Sequence, residues 1–304
     1  MIKLQDILNN KFSPLSECVC TAKMYGDDMV LGKNRDRNYN PTLKVVRDMT
    51  GYHTEILYVI DNDTDWSEGM NEHGIGLVNS ALFVKRDEKE VQKKKTARRS
   101  KDGVRIREVL GKTNIADAVD CAVKFHGGIK GHTLIGDGMK MVSIENTSRN
   151  KPIVRVKKLH KEPLVRTNHG LEHPEAGYQA GNDKLSSELR LMNALNLLHQ
   201  SNDYKTLYPS FYNHRQDKGP KYDLVRAQNK LWTSSQLVMN LNKRELILYL
   251  IPKAVDFAGV ENKLPSGFKS KLNLTIRKYK GTPDGKHDDY VTTDEKPKQN
   301  ALRK

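Results

Sequence analysis

The strongest constraint on the fold is the pattern of apolar residues. They fall in short runs broken by Gly, Asp and Asn, with helices confined to two groups. Cys18 to Lys23 and Met29 to Gly32 flank the turn signal Gly26-Asp27-Asp28 and predict a hairpin. Glu55 to Ile60 predicts a third strand and Gly74 to Asn79 a fourth, its glycines marking close backbone approach. Strand patterns resume at Thr133 to Ile135, Met141 to Ile144 and Ile153 to Val156. Gln236 to Leu241 and Glu245 to Ile251 flank Asn242-Lys243 as a hairpin with a two-residue turn. Helices are predicted at Val104 to Leu110, at Ile115 to Phe125 with Thr113 or Asn114 as cap, and at Leu185 to Leu198. In the last of these Leu189, Met192, Leu195 and Leu198 share a face. Strand runs interrupted by two helix groups, without alternating βαβ units, give an α+β chain and disfavour a doubly wound nucleotide fold.

Length and composition narrow the class. The 304 residues suffice for one large core. No apolar run is long enough to span a membrane, and MIKLQDILNN does not read as a secretory signal. Three cysteines, Cys18, Cys20 and Cys121, cannot build a multi-bridge framework, which points to a reduced, cytoplasmic setting. No phosphate-loop, dinucleotide or zinc spacing occurs, so neither a cofactor nor a metal is expected. The net charge of +15 favours an acidic partner: nucleic acid, lipid or an anionic small molecule. Residues 85–112 carry 12 basic and 5 acidic side chains, including Lys93-Lys94-Lys95 and Arg98-Arg99, and read as an exposed loop leading into a helix. From Gly281 onward the chain is polar and aperiodic, which predicts a disordered tail over 281–304.

Four segments carry groups suited to acyl chemistry. They are Cys20-Thr21-Ala22 with Gly32-Lys33-Asn34-Arg35-Asp36, then Gly69 to Asn79, Arg166-Thr167-Asn168-His169, and Ser186-Ser187-Glu188-Leu189-Arg190. A deprotonated cysteine is the strongest side-chain nucleophile at neutral pH. Asp36 lies on the neighbouring strand of the predicted hairpin, and Asn79 and Asn168 offer amide N–H groups suited to an oxyanion. No histidine is placed to serve as base for Cys20, and His73 and His169 read as structural.

The ordered set CTA…GKNRD…NEHGIG…N…TNH…SSELR resembles the N-terminal-nucleophile hydrolases of the choloylglycine hydrolase and penicillin acyltransferase type, over about residues 20 to 251. The resemblance implies a four-layer αββα sandwich of two antiparallel sheets. It also implies self-cleavage between Val19 and Cys20, which makes residues 1–19 a leader and 20–280 the catalytic domain. The freed α-amine, with a pKa near 8, then acts as the base. By the same resemblance Cys20 is nucleophile, Asp36 holds the amine, and Asn168 supplies an oxyanion donor. Asn79 or the backbone beside it positions the acyl carbonyl, and Arg190 organises the site. Lys33 stands where the family usually has arginine, keeping the charge without the bidentate fork, and is the candidate substrate contact. Cys18 is a competing thiol, disfavoured because Val19 rather than a hydroxyl residue follows it. The implied substrate is a small linear non-peptide amide, and the net charge of +15 suits an anionic one. Two other classes compete: a basic nucleic-acid-binding protein, for which no module signature appears, and an unprocessed relative kept as a binding or structural protein.

Overall fold

Period-2 alternation and turn chemistry generate two stacked sheets. The computed structural model describes residues 16–82, 102–147, 151–157, 162–174, 176, 184–213, 222–226, 231–251, 256–278 and 291–293. The first hairpin pairs β1 (Ser16–Tyr25) with β2 (Asp28–Arg37) across Gly26, whose φ of 61° a turn glycine takes without strain. β3 (Thr42–Met49), β4 (Glu55–Asp61), β5 (Trp66–Asn71) and β6 (Gly76–Ser80) run as a meander. After α1 (Asp102–Leu110) and α2 (Ile115–Lys124), β7 (Gly131–Gly136), β8 (Met141–Asn146) and β9 (Ile153–Lys157) extend it. β10 (Leu164–Arg166) returns to β1. Then come α3 (Lys184–Gln200), α4 (Tyr204–Asn213), β11 (Trp232–Asn240), β12 (Glu245–Leu250), β13 (Asp256–Asn262), β14 (Asn273–Lys278) and β15 (Val291–Thr293).

The strand order is β10-β1-β2-β11-β12-β14-β15 in one sheet and β13-β3-β4-β5-β6-β7-β8-β9 in the other. Three cores separate four layers. Ala22, Leu31, Leu57, Met70, Leu134 and Leu248 pack between the sheets. Val19, Val30, Val238 and Tyr249 face α3 and α4 through Ala194, Leu198, Leu207 and Phe211. Ile56, Leu77, Ile135 and Val142 face α1 and α2 through Ile106, Val109, Ala118 and Ala122. This is the expected αββα sandwich. A fully buried aliphatic side chain in such a layer contributes about 1.5–3 kcal/mol.

The sheets are not purely antiparallel. β12 pairs parallel with β14, and β13 pairs parallel with β3. The chain leaves the first sheet after β12, adds β13 to the second, and returns as β14, so it re-enters in the direction it left. The β11–β12 connection is longer than two residues: Asn240 pairs with Glu245, and Arg244 adopts φ 54° in the turn. Gly74, with φ 83°, makes the close backbone approach, since a Cβ there would lie 3.1 Å from Leu241 O, and a side chain at Gly76 would meet the Leu241 side chain.

α2 begins as predicted, with Asn114 Oδ1 accepting from Asp117 N at 2.9 Å. α3 differs from its apolar pattern. Its buried stripe is Ser186, Ser187, Arg190, Ala194 and Leu198, while Met192 is 57% exposed. The inward stripe contains an arginine that hydrophobic periodicity discounts, and that arginine is buried because carboxylates meet it. Within the predicted tail, Val291–Thr293 pairs with β14; its other residues and residues 1–15 lie outside the described ones.

Candidate active site

Segments far apart in sequence meet at the start of β1, and strand register sets which residues face each other. In the β1–β2 pair, Glu17 faces Asp36, Cys18 faces Arg35 and Cys20 faces Lys33. On the other side Cys20 faces Arg166 of β10. Two residues past Arg166 the chain reaches Asn168, level with Cys18. There Asn168 Oδ1 accepts a hydrogen bond from Cys18 N at 3.2 Å.

Arg190 is fully buried on α3. Its Nη2 donates to Asn168 Oδ1 at 3.1 Å and to Glu17 Oε2 at 2.8 Å. Its Nη1 lies 3.5 Å from Cys18 O and 3.6 Å from Asp36 Oδ2. Arg226 supplies a second guanidinium: Nη2 is 2.7 Å from Glu17 Oε2 and donates to Ser186 Oγ at 2.6 Å, and Nε is 3.6 Å from Asp36 Oδ2. Thr233 Oγ1 donates to Asp36 Oδ1 at 2.6 Å. Among the described residues Asp36 Oδ2 has no hydrogen-bond partner. Burial pushes the Asp36 carboxyl up, against the pull of Arg226 and Arg190. Burial likewise brings the Arg190 guanidinium down to about 10, with Arg226 adding to the effect.

Asp36, Asn168 and Arg190 therefore come together, and they do so around Cys18. None of them hydrogen-bonds to Cys20 among the described residues. Cys20 is buried in the inter-sheet core, and burial pushes its thiol far up, opposed chiefly by Lys33. Lys33 and Arg35 share Glu68 as ion-pair partner, and Arg37 meets Asp61 at 3.1 Å. Burial pushes the Lys33 ammonium down to about 8. Its Nζ also lies 5.6 Å from the Trp66 ring centroid.

Asn79 sits on β6 opposite Thr133. Its Nδ2 donates to Thr133 Oγ1 at 2.8 Å and to Lys130 O at 3.1 Å. Both side-chain N–H groups are thus engaged in holding β6 to β7. The residues after Asn79 reach the cluster instead: Asn168 Nδ2 donates to Ala81 O at 2.7 Å, and Ser80 Oγ donates to Thr167 O. His169 Nδ1 lies 2.9 Å from Ser187 Oγ, which accepts from Asn168 N at 2.8 Å. That histidine braces the loop, as expected, and His73 is an exposed turn residue.

Sequence reasoning does not select Glu17, Arg226, Thr233 or Ser187 as individual contributors. Glu17 carries a signal, an acid beside the cysteine pair; Arg226 lies in an irregular segment with no motif. Of the basic 85–112 segment, residues 85–101 lie outside the described ones. Arg105, Arg107 and Lys112 pair with Asp102, Asp65 and Glu108. Among the described residues no group of three or more His, Cys, Asp or Glu side chains could hold a metal ion, and no helix is long and apolar enough to cross a membrane. A groove of about 590 Å³ lined by Tyr52, Lys112, Asp117 and Cys121 lies by α1 and α2, apart from this cluster.

No protein-family profile matches the chain, and no curated protein matches it. Among solved structures it is similar to penicillin V acylase from Agrobacterium tumefaciens, with a TM-score of 0.49 and 10% identity over 80% of this chain and 95% of that one. It is also similar to a point mutant of conjugated bile acid hydrolase from Clostridium perfringens, with a TM-score of 0.47 and 13% identity over 86% of this chain and 98% of that one.

Proposed function

We propose that the protein is an amide hydrolase or acyltransferase of the N-terminal-nucleophile kind, acting on a linear non-peptide amide through a cysteine thiol of β1. The acyl group passes to sulfur as a thioester, and then to water or an amine. Self-cleavage ahead of the nucleophile frees the α-amine that takes the thiol proton. The observation that carries this reading is the convergence of β1, Asp36, Asn168 and Arg190, from four separate segments, in one buried cluster. Lys33 touches substrate, and the Asn79 region positions the acyl carbonyl. Asp36 would hold the ammonium form of the amine, since its Oδ2 is an unfilled acceptor among the described residues. Preorganised donors in such a site act strongly because little reorganisation is left to pay for at the reacting step.

The test is turnover of a panel of N-acyl amides, penicillin V and a conjugated bile acid among them, together with covalent labelling by a β-lactone. Release of free amine and a stoichiometric acyl adduct on a β1 cysteine are expected. A chain that neither turns over any member nor forms an adduct is not a thiol amide hydrolase.

A further inference from the structure

We propose that Cys18, rather than Cys20, supplies the thiol and the freed α-amine, and that the bond opened to release them is Glu17–Cys18. This rests on the thiol-hydrolase reading above and names the residue that performs it.

The first argument is placement of the amine. A nucleophile that uses its own α-nitrogen as base needs acceptors around that atom. Cys18 N is already bonded to Asn168 Oδ1 at 3.2 Å. Asp36 faces Glu17, the residue before Cys18, across the strand pair. Its Oδ2 is buried and lacks a hydrogen-bond partner among the described residues, which suits an ammonium created there. Arg190 reaches both Cys18 O and Asp36. The nitrogen of Cys20 instead lies within the continuous ladder between Lys33 and Arg166.

The second argument is charge. Strand alternation puts Cys18 and Cys20 on the inter-sheet face with Lys33, Arg35 and Arg37. Among the described residues those three buried cations form ion pairs with two buried carboxylates, Glu68 and Asp61. A thiolate balances the remaining positive charge. Arg35 stands directly opposite Cys18, and its Nη1 is buried without a hydrogen-bond partner among the described residues. Cys18 is within electrostatic reach of Lys33, Arg35, Arg37 and Arg190. Cys20 has Lys33 and Arg35 in reach and sits deeper among apolar side chains. Cation proximity is what favours a thiolate, and apolar burial is what suppresses it.

The chemistry balances. Cys18 Sγ attacks the Glu17 carbonyl carbon, the Glu17–Cys18 C–N bond breaks, and the thiol proton goes to the departing nitrogen. Water then hydrolyses the thioester, releasing residues 1–17 with a new carboxylate at Glu17 and restoring the Cys18 thiol. In turnover the α-amine takes the thiol proton, the thiolate attacks the amide carbon, and the ammonium returns the proton to the leaving amine. Water, deprotonated by the amine, removes the acyl group as the acid.

The experiment uses the full chain. The N-terminus of the purified protein is read by intact mass, and the β-lactone adduct is mapped by peptide. Cys18→Ala and Cys20→Ala are carried alongside. A mature chain beginning at Cys18, with the adduct on Cys18, is expected. Cys20→Ala should still process and label, while Cys18→Ala should keep the leader and lose labelling by more than about a thousandfold. Because the parent's N-terminus and adduct are read without mutation, a misfolded variant does not decide the outcome. A parent chain beginning at Cys20, or an adduct on Cys20, overturns the assignment while leaving the hydrolase reading standing. A parent that is neither processed nor labelled overturns both.

Discussion

Asn168→Ala tests the cluster through stability and rate at once. The side chain accepts from Cys18 N and Arg190 Nη2 and donates to Ala81 O, and all three partners are buried or nearly so. Two neutral bonds at about 1 kcal/mol each and one charged bond at about 1.5–3 kcal/mol give a loss of roughly 4 kcal/mol. For a chain of this size that is a fall in Tm of about 6–8 °C. If Asn168 also faces the oxyanion, acylation by a β-lactone should slow by about 10²–10³ in protein that remains folded. Asn168→Asp separates the two effects. It keeps an acceptor for Cys18 N and Arg190 but removes the amide donor, so its Tm should fall less than that of the alanine variant while the acylation rate falls as far. Thermal melts and stopped-time labelling on both variants provide the readout. A normal Tm for Asn168→Ala refutes the packing argument, and an unchanged acylation rate in both variants removes Asn168 from the chemistry.

Arg190→Met should destabilise the fold by about 3–5 kcal/mol in denaturant titrations, because Glu17 and Asp36 lose a buried counter-charge; an unchanged midpoint contradicts the ion-pair account. Burial holds His132 down to about 4, below its unfolded value, and backbone N–H groups of Leu171, Glu172 and His173 hold Glu145 low. Between about pH 6.5 and 4 the unfolded chain binds more protons than the folded one, so stability should fall on acidification through that window, and His132→Gln should flatten the dependence. An equally steep slope in the variant assigns the acid sensitivity elsewhere. Neutralising Lys93, Lys94, Lys95, Arg98 and Arg99 should leave turnover and its salt dependence unchanged. A drop in kcat/KM at low ionic strength would instead identify the segment as a steering surface.

The sequence by itself determined the strand-rich class, the first hairpin and the capped α2, because period-2 alternation, Gly-Asp-Asp turn chemistry and an Asn cap are all local signals. It also contained the residues of the candidate site: Asp36, Asn168 and Arg190 are each visible as part of a short motif. Tertiary structure decided what those residues surround. Local spacing cannot tell Cys18 from Cys20, since both lie on the same face of one strand. The register of β1 against β2 and β10 puts Asp36 level with Glu17, and Asn168 level with Cys18. The buried stripe of α3 was hidden for a related reason. Hydrophobic periodicity counts arginine as outward-facing, and Arg190 turns inward because Glu17 and Asp36, brought there by a strand pairing about 170 residues away in sequence, neutralise it. Arg226 left no trace in sequence because an irregular segment delivers it, and only tertiary structure sets that segment against Thr233 and brings its guanidinium to Glu17 and Asp36.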